Sequence, residues 1–130
     1  MFLDFIFKKK INKGSKGSVS LSTVENIRRD WENINVLVSQ KGPSQLRQAL
    51  ISADKSLDNA LRDIVGGEAM GERLKESQDL FDRSLYNKVW EAHKLRNSLV
   101  HESGFEPPYF VVIEAINNLK EALYILGVKV

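Results

Sequence analysis

Cysteine is absent from the 130 residues, which removes disulfides and thiolate metal sites and fits a reducing compartment without requiring one. Histidine is scarce: His93 and His101 stand eight positions apart, whereas a zinc-binding pair usually stands about three to five apart. No metal site or cofactor is therefore expected. No apolar run approaches the roughly 20 residues needed to span a bilayer. Residues 1–7 are apolar except for Asp4, and no positive region precedes them as it does in a secretory signal. No internal repeat is visible. The glycine-rich residues 66–71 lack the Lys-Ser/Thr of a phosphate loop and follow a helical stretch rather than a strand, so they read as a helix–helix connection.

A strong excess of one charge is missing as well. The formal net charge is +2, and it is unevenly spread. Residues 1–20 hold five lysines against Asp4 alone, a net +4, while the rest carries 14 basic and 16 acidic residues, a net −2. By composition the body of the chain is not a basic nucleic-acid binder. Attraction to phosphate must come from the tail or from a local patch.

What is present divides the chain into residues 1–21, a flexible basic N-terminal segment, and residues 22–130, a helical bundle. Within the first, residues 1–10 join an apolar plug to a lysine cluster, Lys8 to Lys10. That combination suits either a membrane-surface anchor or a loosely docked terminus. Residues 11–21 are rich in Gly, Ser and Lys and read as a linker. Ser22 followed by Glu25 fits a capping box. Val24, Ile27, Trp31, Ile34 and Val38 then repeat at helical spacing, with the two tryptophans, Trp31 and Trp90, expected to pack rather than to stack on bases. Residues 41–43, Lys-Gly-Pro, break the pattern. A second helix from about Ser44 buries Leu46, Leu50, Ala53, Leu57, Leu61 and Ile64, and Gly66-Gly67 ends it. Asp54, Asp58 and Arg62 at four-residue spacing on this helix suggest a solvated, ion-paired edge. A short helix is expected over residues 71–77 and a third long helix over residues 79–100, with Phe81, Leu85, Val89 and Ala92 inward. The last helix, over residues 108–126, is expected to bury Phe110, Ile113, Ile116, Leu119, Leu123 and Leu126. Residues 110–113 are β-prone, yet the helical pattern continues through them. The expected fold class is all-α: an antiparallel up-and-down four-helix bundle with a short additional connecting helix.

One residue breaks this pattern. Helical phase puts Arg96 in an apolar stripe formed by Leu85, Val89, Ala92, Leu99 and Val100. A guanidinium there is unfavourable unless it is paired or used. Asn97 is next to it, His93 one turn before, and His101 and Glu102 follow. His101 lies about 140° further round a continuous helix, so it meets Arg96 only by folding back at the helix end or from a second subunit. A histidine can move a proton near neutral pH. An arginine holds phosphate or developing negative charge with a planar fork, and an asparagine orients either partner. Together such groups can cleave RNA without a metal. The structural alternative is an Arg96 paired with Glu91, Asp54 or Asp58.

The segment Trp90-Glu91-Ala92-His93-Lys94-Leu95-Arg96-Asn97-Ser98-Leu99-Val100-His101-Glu102 resembles the signature of the HEPN superfamily. That signature is an arginine, often followed by a polar residue, with a histidine several positions on. Arg96, Asn97 and His101 match it with four residues between the arginine and the histidine, at the end of the penultimate long helix. The resemblance extends over residues 23–127 in helix order, and only the motif is specific. It implies an all-α bundle that forms a homodimer through the motif helices, with both Arg/His pairs in a shared cleft. It also implies a metal-independent endoribonuclease of the toxin or defence type, with RNA as target and a cognate antitoxin as partner. On that basis His101 transfers the proton, Arg96 holds the phosphate and Asn97 assists. His93 and Glu102 are supporting candidates outside the motif. Other members of the superfamily serve as non-catalytic dimerisation or interaction modules, and a membrane-tethered scaffold is the alternative for this chain. The expected location is cytoplasmic, with peripheral membrane contact where residues 1–10 act as the anchor.

Overall fold

Ser20 opens the first helix, α1, Leu21–Gln40, because its Oγ accepts the Thr23 N–H at 3.2 Å. The expected box at Ser22 and Glu25 is therefore displaced by two residues. The cause is tertiary. The Ser20 amide donates to Asp63 Oδ2 at 3.0 Å, and the Gly17 amide donates to the Ile64 carbonyl at 2.9 Å. The incoming chain is pinned to the far end of the second helix, and that fixes which serine caps. Gly17 is required there, since a Cβ would sit 2.9 Å from the Asp63 carbonyl oxygen. Residues 17–21, expected as part of the flexible segment, are thus docked.

The computed structural model describes residues 17–130, and the expected anchor at residues 1–10 lies outside them. The other helices are α2, Pro43–Val65; α3, Met70–Glu76; α4, Arg83–His101; and α5, Tyr109–Ile125. A short 3-10 turn, Gln78–Leu80, links α3 to α4. Pro43 starts α2 at a position where a missing N–H costs nothing. Gly66, at φ 72° and ψ −142°, ends it in a conformation closed to residues with a Cβ. Asp82 caps α4, with Oδ1 accepting the Leu85 N–H at 2.8 Å.

The chain is all-helical, with no strand among the described residues. Helix α2 is central: it packs on α1, α3, α4 and α5, while α4 also packs on α5. Its fully buried Leu50, Leu57 and Leu61 join Ile27 and Ile34 of α1 and Leu119 and Leu123 of α5 in one core. Trp31 belongs to that core, its Nε1–H donating to Ser56 Oγ at 2.9 Å, and Ser56 in turn donates to the Ala53 carbonyl at 2.7 Å. On α5 the expected Ile116, Leu119 and Leu123 are buried and Ile113 and Leu126 partly so, and only Phe110 departs from expectation. Val112, Ala115, Ile116, Leu119, Ala122 and Leu123 are buried, while Phe110 is 69% exposed. Among the described residues no helix is long and apolar enough to cross a membrane.

Candidate functional site

Asp54 lies on the buried side of α2, between Ala53 and the serine that holds Trp31, and its side chain is only 4% exposed. An ionised carboxylate in such a place must be partnered. Helix α4 supplies both partners. His93 and Arg96 are three residues apart, so they share a helix face, and that face is turned to Asp54. His93 Nδ1 lies 3.0 Å from Asp54 Oδ2 and 3.3 Å from Oδ1. Arg96 Nε lies 3.7 Å from Oδ2, an ion pair beyond hydrogen-bond range.

This contact fixes the imidazole. A carboxylate only accepts, so Nδ1 carries the proton that it receives, and in the neutral ring Nε2 keeps its lone pair. Nε2 has no hydrogen-bond partner among the described residues and is not sealed from solvent. The ring also rests edge-on against Trp90, with centroids 6.1 Å apart, and Trp90 against Tyr86 at 6.5 Å.

Arg96 is held at two points. Its Nε is sealed from solvent without a hydrogen bond, and one terminal nitrogen donates to Asn97 Oδ1 at 3.0 Å. The side chain as a whole is 31% exposed. The sequence placed Arg96 in an apolar stripe; it stands at the edge of that stripe, where α4 meets α2.

One turn beyond Asp54, Asp58 accepts from Arg73 of α3 at 2.8 Å, and Arg73 also donates to the Gly67 carbonyl at 3.0 Å. Arg62 donates to Asn59 at 2.6 Å. The expected solvated edge of Asp54, Asp58 and Arg62 is thus corrected: the two aspartates face inward, one binding α4 and the other α3. Between α2, the start of α3 and α4 a cleft of about 350 Å³ remains, lined by Asp54, Lys55, Asp58, Gly71, His93 and Arg96 among others. A larger cleft, about 490 Å³, lies between α4 and α5 and contains neither histidine nor arginine.

The structure therefore brings Arg96, Asn97 and His93 together and adds Asp54. His101, the last residue of α4, and Glu102, its C-cap, are exposed. Among the described residues no hydrogen bond or ion pair joins either side chain to Arg96. No group of three or more His, Asp or Glu side chains able to hold a metal ion occurs among the described residues. The chain matches no family model, no curated protein and no solved structure.

Proposed function

We propose that this chain is a HEPN-like, metal-independent endoribonuclease whose phosphate-binding group is Arg96. The observation that carries the reading is the restraint on this side chain. Asp54 lies 3.7 Å from one edge of the guanidinium and Asn97 accepts from another, while the side chain stays 31% exposed. A preorganised fork of this kind stabilises charge that develops on a phosphate without reorganising at the moment of reaction. The motif Arg96-Asn97 with His101 four residues further on supplies the family resemblance. The reading includes a bundle in which the four long helices alternate in direction, and a homodimer in which a second copy can bring its own exposed His101 to the site.

The test is cleavage of RNA by the purified chain in EDTA, with analysis of the ends. The expected product carries a 2′,3′-cyclic phosphate. Arg96→Lys keeps the charge, removes the planar fork, and is expected to cost on the order of 100-fold in rate. Metal-dependent cleavage, or full activity in Arg96→Ala, rejects the reading.

A second reading has its own support. Arg96 is paired inside the chain with Asp54, as a structural arginine would be, and Val100, Phe105, Tyr109 and Phe110 expose apolar surface around the end of α4. These features suit a non-catalytic interaction module. It predicts no RNA cleavage, together with lower stability on Arg96→Ala.

A further inference from the structure

We propose that the imidazole working with Arg96 is His93 of the same chain, and that Asp54, His93 and Arg96 supply the base and the phosphate-binding group for an RNA phosphodiester within one chain. This rests on the ribonuclease reading and changes its proton-transfer residue. Three observations lead to it. Asp54 holds Nδ1–H at 3.0 Å, the arrangement that keeps an imidazole in one tautomer with Nε2 ready to accept a proton. Nε2 is unpartnered among the described residues, and His93 lines the same cleft as Arg96. That cleft, about 350 Å³, is of a size that takes a small ligand group.

Basic groups reach this cleft. Lys55 and Arg96 line the cleft, and Arg73 neutralises Asp58 at its edge. The lining thus carries two cations and two carboxylates, Asp54 and Asp58, with Arg73 of α3 paired to Asp58.

His101 cannot share this task within the chain. It is eight residues on, a rise of about 12 Å along α4. In the proposed step His93 Nε2 takes the proton of the ribose 2′-hydroxyl. The 2′ oxygen bonds to phosphorus as the bond from phosphorus to the 5′ oxygen breaks, with Arg96 on the phosphate oxygens. The departing 5′ oxygen takes a proton from water, and the imidazolium returns its proton to the resulting hydroxide. The products are a 2′,3′-cyclic phosphate and a free 5′-hydroxyl. His93 is the catalytic residue, and Asp54 is a positioning residue.

His93→Asn tests this. The asparagine amide can still donate to Asp54 as Nδ1–H does, but nothing replaces Nε2. In EDTA the expected result is loss of RNA cleavage by at least about 100-fold with little change in melting temperature. A second arm follows the two histidine ring signals by NMR as 3′-CMP is added, and only His93 should shift. Cleavage at the parental rate in His93→Asn overturns the proposal and leaves the ribonuclease reading standing. A parent chain that cleaves no RNA defeats that reading, and the nucleotide titration then decides: no shift at His93 overturns the phosphate site, and a shift confined to His93 supports it.

Discussion

A carboxylate with 4% of its surface in water is the residue on which the site turns. Asp54 is worth keeping only while His93 and Arg96 are there, and the converse holds for the sealed Nε of Arg96. Truncation by Asp54→Ala should lower stability by about 1–3 kcal/mol, because it leaves polar groups of α4 without their acceptor. Urea denaturation measures this, and an unchanged midpoint would show that the cluster contributes nothing to folding. Asp63 makes a different kind of contact. The Ser20 amide that it accepts, aided by Thr23, holds its carboxyl below the ordinary value of 3.8. A depressed folded value means that this contribution is complete above 3.8 and fades as the pH falls below it. The melting-temperature gap between the parent and Asp63→Ala should therefore be present at about pH 6 and close toward about pH 2. A gap that persists in acid would refute this role for Asp63.

At the scale of elements, the start of α1 distinguishes local from tertiary control. Ser20→Ala should cost about 1 kcal/mol and Ser22→Ala far less, as thermal melts of the two variants would show. Equal losses would restore the box at Ser22. Much of the element pattern was legible in the sequence. The α2 stripe from Leu46 to Ile64 is buried as its spacing implies, and Gly66 stops the helix where expected. On α5 the burial of Ile116, Leu119 and Leu123 was legible too, but the face of its first turn was not. Residues 109–113 read Tyr-Phe-Val-Val-Ile, apolar on every side, so periodicity there selects no face. Packing on α2 selected Val112 and left Phe110 outside.

For the whole molecule, the position of α2 decides which groups meet. Asp54 and Asp58 read as one edge at four-residue spacing, yet α4 covers the first and α3 reaches the second with Arg73. The exposed Val100, Tyr109 and Phe110 border the end of the motif helix. Under the two-copy reading they lie in the dimer contact. Sedimentation should then give a dimer for the parent and a monomer for Phe110→Glu. A monomeric parent removes the shared cleft and leaves the single-chain cluster of Asp54, His93 and Arg96 as the place for the chemistry.

From the order of its residues alone, this chain is determined to be helical, to lack the thiols of a disulfide or thiolate metal site, and to carry one arginine out of keeping with its apolar neighbours. Those properties are local: helical phase, turn residues and composition act over a few positions. Helical spacing also sets His93 on the face of that arginine, but which carboxylate the two meet was decided by tertiary structure. Asp54 and His93 are 39 positions apart. Only the crossing of α4 over α2 brings them within a hydrogen bond, and periodicity within one helix contains no information about the helix it packs against.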